Sequence, residues 1–159
     1  MSRRFVFILA AAALLSGAAL AAGALFTAPD RAVARLVDRM AGPFDAEVIE
    51  VVDGDTLDVR VRIWLGQEVV TRVRLSGVDT PELRGKCERE KRKAAEARDL
   101  LTRLVAGGAV VLRDVAYDKY GGRVLATVAN AQGHPLAERL IAAGLARPYD
   151  GRARAGWCD

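Results

Sequence analysis

The sequence predicts a domain of the α+β class that is mainly β, preceded by an N-terminal hydrophobic helix. Three observations carry this prediction: apolar and polar residues alternate in closely spaced segments, a helical pattern follows, and two more β-rich segments come after it. The chain of 159 residues has room for one folded domain. Its apolar fraction of 52% excludes a disordered protein, and its two cysteines exclude a disulfide-dense mini-protein and a four-cysteine zinc site.

An uncharged apolar run, Phe5 to Phe26, occupies the N-terminal part of the chain. A helix of this length would be about 33 Å long, close to the bilayer core of about 30 Å. We expect either an uncleaved anchor that places residues 5–26 in the membrane or a signal peptide cleaved after Ala21 or Ala24. The protein would then be membrane-anchored and face the periplasm or exterior, or be secreted or periplasmic if the leader is removed. A buried core helix is the remaining interpretation.

An amphipathic segment, Asp30–Met40, follows this run. Its apolar residues recur at helical spacing, with three arginines on another face, which predicts a juxtamembrane stalk helix that is either solvated or rests on anionic headgroups. Gly42-Pro43 then marks a break. The sequence therefore divides into a signal anchor or signal peptide (residues 1–28), the stalk helix (29–43) and a folded domain (44–159).

The folded domain begins with three strands in a meander. The β-rich segment Ala46–Val52 leads through the turn Asp53–Thr56 into Leu57–Ile63, where apolar and polar residues alternate. The third strand, Val69–Leu75, alternates in the same way. Arg74 therefore points away from the apolar face of this strand.

The second half of the domain is predicted to mix helices and strands. The predicted order is a helix over Glu88–Val105, strands over Val110–Tyr117 and Val124–Ala129, and a helix over Pro135–Ala143. Five short strands with a helix after the third are typical of a small OB-type barrel. We therefore expect a five-stranded barrel with two or three helices.

Acidic residues cluster in two turns beside the third strand. Asp53 and Asp55 lie in the first turn, and Asp79 and Glu82 follow the strand directly. Clustered carboxylates repel one another unless a cation or an arginine lies among them, and hard oxygen ligands favour Ca²⁺ or Mg²⁺. The single histidine, His134, makes a histidine-based zinc site improbable. The alternative is that these aspartates only support turns.

Basic and aromatic residues accompany the acidic turns. Arg74 precedes Asp79 by five positions, and Arg123 follows a polar loop. Guanidinium groups beside a cation site indicate an anionic substrate such as a phosphate, although a single surface arginine is usually only solvated. Tyr120 beside Lys119 suits stacking on a base, or is an ordinary hairpin aromatic. The net charge of +4 does not by itself predict nucleic-acid binding.

Three motifs occur in one order along the chain: Val52–Thr56, Arg74–Glu82 and Asp118–Arg123. Together with the segment Leu136–Ala146, they resemble the staphylococcal nuclease (thermonuclease) family. The resemblance extends over about residues 44–149. It implies an OB-type barrel that cleaves phosphodiester bonds of DNA and RNA in a Ca²⁺-dependent reaction.

The resemblance also implies residue roles. Asp55, Asp79 and the main-chain carbonyl of Thr80 would be metal ligands for Ca²⁺. Glu82 would be the general base or would position the attacking water. Because a carboxylate and a cation suffice for this chemistry, a histidine is not needed.

Two arginines and a nucleotide pocket complete the implied site. Arg74 and Arg123 would be catalytic residues that hold the phosphate and its transition state, and Lys119 and Tyr120 would be nucleotide-binding. The loop before Arg123 reads Tyr-Gly-Gly-Arg, one glycine longer than is usual in the family. Tyr149 lies near a family position for a nucleotide-contacting tyrosine, and the family's last helix is missing or replaced.

Cys87 and Cys158 have no counterpart in the type member of the family. An exported domain permits a disulfide between them, which would tie the C-terminal tail with Trp157 against the active-site side. Free thiols are expected if the domain is cytosolic.

The sequence therefore predicts a monomeric hydrolase, an endonuclease whose partner is a DNA or RNA substrate. The alternative is a non-catalytic nucleic-acid-binding module tethered at the membrane, which would be expected to lack Glu82, Arg74 or the carboxylates. A membrane-tethered adaptor would not need the acidic cluster.

Overall fold

The computed structural model describes residues 38–158 of the chain. The elements in chain order are β1 (Arg39–Met40), β2 (Phe44–Asp53), β3 (Thr56–Trp64), β4 (Gln67–Leu75), β5 (Val78–Asp79), α1 (Glu88–Leu104), β6 (Ala109–Tyr117), β7 (Arg123–Asn130), α2 (Leu136–Ala142) and β8 (Arg147–Pro148). The five long strands and both helices agree with the sequence prediction to within about two residues at each end. The predicted N-terminal hydrophobic helix lies outside the described residues.

Five strands close into a barrel. Strands β2, β3 and β4 form the antiparallel meander, β6 pairs with β2 and with β7, and β7 pairs in parallel with β4 to complete the ring. Strands β4 and β7 can pair in parallel because the chain between them is long and includes helix α1. The predicted mainly-β fold with a closed, OB-like barrel and two helices is confirmed.

Alternating residues of the strands form the core. On β3 and β4, Leu57, Val59, Val73 and Leu75 are each at most 1% exposed. This is the period-2 pattern of the sequence expressed as burial. Helix α1 packs against β2 and α2, and α2 packs against β7. The helices add four buried side chains to the same core: Ala97, Leu101, Leu136 and Leu140.

The stalk helix prediction is wrong at its C-terminal end. Arg39 and Met40 form β1, which pairs with Ala116 and Val115 of β6. The β2–β6 ladder ends at the pair Phe44 and Leu112, so this edge of β6 has unpaired backbone groups at Val115 and Ala116 that β1 can pair. Most of the predicted stalk lies before residue 38, and the division into segments stays a prediction. Within residues 38–158, no helix combines the length and apolarity needed to cross a membrane.

A second, two-stranded ladder was not predicted from the sequence. Strand β5 pairs with β8, so that Val78 lies opposite Pro148 and Asp79 opposite Arg147. The Tyr149 backbone NH continues the ladder by donating to the Gly77 carbonyl at 2.9 Å. This ladder brings the C-terminal segment of the chain beside the acidic turn that follows β4.

Candidate active site

Asp55 and Arg74 form a buried ion pair at the start of the site. The turn between β2 and β3 carries Asp55, and Arg74 lies opposite Thr56 in the β3–β4 register. Arg74 Nη1 donates to Asp55 Oδ1 at 2.9 Å, and Arg74 Nη2 lies 2.6 Å from Asp55 Oδ2. Both side chains are less than 10% exposed. Burial raises the pKa of Asp55 to about 7, against the lowering effect of Arg74.

Asp79 is the last residue of β5 and Thr80 follows it; both are also buried, at 4% exposure each. Gly54, next to Asp55 in the first acidic turn, packs against Thr80, so the two acidic turns meet as the sequence analysis expected. Trp157 Nε1 donates to Asp79 Oδ2 at 3.3 Å. The other carboxylate oxygen, Oδ1, is buried and accepts no hydrogen bond from the described residues.

Glu82 lies at the exposed edge of the acidic cluster, with half of its side chain accessible. The buried carboxylate of Glu90 holds this loop by accepting from the Lys86 backbone NH at 2.9 Å. Gly85 is tightly packed on the Glu90 side chain, because a Cβ built on Gly85 would clash with the Glu90 carboxylate carbon. Glu90 therefore positions the loop that presents Glu82.

Arg154, from the C-terminal tail, forms ion pairs with both Asp79 and Glu82. Its Nε lies 2.9 Å from Asp79 Oδ1, and its Nη1 donates to Glu82 Oε1. Burial acts to lower the pKa of Arg154, but the hydrogen bond to Glu82 and the negative charges of Asp79, Glu82 and Asp55 together raise it. The guanidinium is thus firmly charged within the acidic cluster.

A cleft of about 460 Å³ opens beside this cluster. Basic and aromatic side chains line it, among them Arg74, Arg123, Lys119, Tyr120, Tyr149 and Arg154. The parallel β4–β7 register places Arg123 opposite Arg72, two positions along the same face from Arg74. The structure therefore brings together the four arginine, lysine and tyrosine residues that the sequence singled out for phosphate and base binding.

The Tyr120 ring lies close to two cationic side chains of the cleft. Lys119 Nζ and Arg123 Cζ lie 5.2 Å and 5.1 Å from the centre of its ring. Arg123 also pairs with Asp118, whose side chain is 5% exposed. Gly122, the second glycine of the longer loop, adopts a φ of +83° just before Arg123. Glycine takes up this conformation without strain.

The C-terminal tail is fixed beside the site. A disulfide joins Cys87 to Cys158, with Cα atoms 5.9 Å apart. Trp157 is 6% exposed, and its backbone carbonyl accepts from Arg89 Nε at 3.1 Å. The Arg147 guanidinium stacks 3.8 Å from the Trp157 ring centre. Glu90 lies near both cysteine sulfurs, but the disulfide leaves no thiolate there for a metal ion.

The donor set of the acidic cluster fits a hard cation. Asp55 and Asp79 are buried carboxylates, and Asp79 Oδ1 accepts no well-aligned hydrogen bond among the described residues, although it forms an ion pair with Arg154. Carboxylate and main-chain carbonyl oxygens are the ligands that Ca²⁺ prefers. Arg74 and Arg154 already place positive charge beside these carboxylates.

Two residues of the site carry no signal that sequence reasoning could use. Arg154 lies in a tail without periodicity, 72 positions from Glu82. The sequence presents Glu90 only as one more charge at the start of a solvated helix. The second cysteine of the sequence, Cys158, is the one indication that the tail reaches the region of Cys87.

Comparison with known families gives one match. The family model described as "Staphylococcal nuclease homologue" matches residues 72–155, which include the end of β4, the Glu82 loop and the cleft arginines. Asp55 lies before the matched range. No curated protein matches the chain significantly. The matched range is more than half of the chain, and it contains all the residues that line the cleft. The chain belongs to the staphylococcal nuclease family.

Proposed function

We propose that this protein is a Ca²⁺-dependent nuclease that hydrolyses phosphodiester bonds of DNA, RNA or both. One observation carries the proposal: buried carboxylates and an exposed glutamate meet arginines at the edge of a basic and aromatic cleft, in a chain of this family. A site that only bound nucleic acid would gain nothing from burying Asp55 and Asp79, because burying a carboxylate is costly.

The acidic cluster is proposed to hold the cation. Asp55, Asp79 and the main-chain carbonyl of Thr80 would be its ligands. When bound, Ca²⁺ would neutralise and orient the phosphate. The ion pair with Arg74 keeps Asp55 in place, and the Trp157 hydrogen bond fixes the orientation of Asp79.

Glu82 and the arginines are proposed to carry the chemistry. Glu82 would accept a proton from the attacking water, or align that water opposite the leaving 5′ oxygen. Arg74 and Arg123 line the same cleft and would take up the charge that develops on the phosphate oxygens. The pocket of Lys119 and Tyr120 would hold the nucleotide by charge and stacking.

Export and tethering complete the proposal. The apolar run at residues 5–26 would anchor the monomer to the membrane with the nuclease domain facing the periplasm or exterior. Cleavage of that run would release a secreted or periplasmic enzyme. A disulfide between Cys87 and Cys158 is compatible with either location, because both are oxidising.

Degradation of denatured DNA tests the proposed activity. The full chain is incubated with Ca²⁺ or with chelator, beside Glu82→Gln and the exposed helix variant Glu96→Gln at equal concentration. We expect cutting that requires Ca²⁺, falls by at least about 100-fold in Glu82→Gln and is unchanged in Glu96→Gln. Binding without cutting by the folded wild type would favour the non-catalytic module.

A further inference from the structure

The guanidinium of Arg154 lies between Asp79 and Glu82, to which we assign different roles. Its Nε lies 2.9 Å from Asp79 Oδ1, and its Nη1 contacts Glu82. Asp79 is the proposed cation ligand and Glu82 the proposed base. The Arg154 side chain therefore engages both carboxylates at once.

The tail delivers this side chain with little freedom. On one side of Arg154, strand β8 pairs with β5 at residues 147 and 148. On the other side, Trp157 is buried against Asp79 and Cys158 is bonded to Cys87. Because both ends of this short segment are fixed, Arg154 stays within reach of the carboxylates without a large entropic cost.

We propose that Arg154 is a built-in counter-ion that competes with the divalent cation for Asp79 and Glu82. This inference rests on the proposed function. A guanidinium cannot lose its proton, so it cannot make way by becoming neutral. Two positive groups at one carboxylate oxygen repel each other. Binding of a cation at Asp79 therefore requires the Arg154 side chain to leave.

The released side chain remains in the substrate cleft. Arg154 already lines the cleft beside Arg74 and Arg123. Its guanidinium lies 6.0 Å from the ring centre of Tyr149, a cleft residue that offers a place for it to rest. Cation binding thus frees Glu82 and adds a third arginine to the surface that faces the phosphate.

Ca²⁺ binding without nucleic acid tests the competition. Isothermal titration of the full chain gives Kd for the wild type, Arg154→Gln, Arg154→Lys and the control Arg152→Gln. Arg152 is on the same tail, is 87% exposed and pairs with Asp150 rather than with the acidic cluster. We expect the Kd for Ca²⁺ to fall about tenfold in Arg154→Gln, because the cation then has no guanidinium to displace from the carboxylates. Arg154→Lys keeps the charge and should lie nearer the wild type, and Arg152→Gln should not change Kd.

A measurement on the wild type avoids dependence on the variants' folding. The Arg154 side-chain Nε–H signal, assigned through its covalent connectivity in the wild type, reports hydrogen exchange by NMR. We expect exchange to become several-fold faster when Ca²⁺ saturates the protein. Unchanged or slower exchange, or an unchanged or weaker Kd in folded Arg154→Gln, overturns the inference.

The two proposals fail in distinguishable ways. If the wild type cuts DNA with Ca²⁺ and Arg154→Gln binds Ca²⁺ no more tightly, only the counter-ion role is refuted. If neither protein binds Ca²⁺ and neither cuts, the proposed function is refuted together with the inference. Tighter Ca²⁺ binding by Arg154→Gln supports the counter-ion role whether or not the wild type proves to be active.

Discussion

Gly54 lies so close to Ala97 of α1 that no side chain fits between them. A Cβ built on Gly54 would be 3.2 Å from Thr80 Oγ1 and 2.8 Å from the Ala97 Cβ. The close approach, rather than an unusual backbone angle, therefore requires glycine here. It allows the turn that carries Asp55 to pack directly on α1, with Thr80 also in close contact.

Alanine at position 54 should push the turn that carries Asp55 away from α1. We expect Gly54→Ala to lower the free energy of unfolding by about 1–3 kcal/mol, as overpacking usually does. Urea unfolding measures this change. Gly107→Ala is the matched control, because a Cβ at Gly107 meets nothing within 4 Å. A Gly54→Ala protein as stable as Gly107→Ala would contradict the close packing.

The raised pKa of Asp55 predicts a pH dependence in the presence of chelator. Burial lifts this pKa from 3.8 to about 7, so the folded protein keeps a proton that the unfolded chain loses. The contribution of Asp55 to the free energy of unfolding is largest below about pH 4 and falls as pH rises to about 7. Relative to Asp55→Asn, wild-type unfolding free energy should fall by up to about 1.4 kcal/mol per pH unit.

Denaturant unfolding of the wild type and Asp55→Asn from pH 4.5 to 7.5 tests this sign. The comparison cancels the titration of all other groups that the two proteins share. A difference that rises with pH would show that Arg74, not burial, dominates the Asp55 environment.

Tyr120 should contribute to nucleic-acid affinity through stacking. We expect Tyr120→Ala to weaken binding of a short single-stranded DNA about 5- to 100-fold, the range for loss of one base–aromatic stack. Fluorescence anisotropy with chelator present measures binding without cleavage. Trp64→Ala removes another exposed aromatic, on the β3–β4 hairpin away from the cleft, and should leave the affinity unchanged.

The Cys87–Cys158 bond should stabilise the folded domain. In the chain-entropy model, a loop of this length is worth about 4 kcal/mol. Cys87→Ser/Cys158→Ser should therefore lose stability of this order in urea, and the wild type should match it after reduction. Equal stability of the oxidised wild type and the double variant would refute the expectation.

The regular elements could be predicted because each carries its own periodicity. Val73 and Leu75 alternate with Arg74, and the structure buries the first two in the core while Arg74 turns to the cleft. The helix stripe through Ala97 and Leu101 is likewise a local pattern. Motif order then placed Arg123, Lys119 and Tyr120 around one cleft.

The contacts of the tail could not be predicted in the same way. Asp79 opposite Arg147 and Glu82 beside Arg154 are pairings between distant parts of the chain, set by tertiary structure rather than by spacing. The failure at Arg39 and Met40 has the same cause. Their helical spacing is real, but pairing with the free end of β6 decides their structure.

The disulfide also changes what a single cut in the backbone would do. It spans 71 positions and encloses the segment from α1 to β8, including the exposed loop at Lys119 and Tyr120. A protease that nicked this loop would leave two fragments that remain covalently joined through Cys87 and Cys158. Each half of the cleft would stay tethered to the other, so one nick would not release either piece.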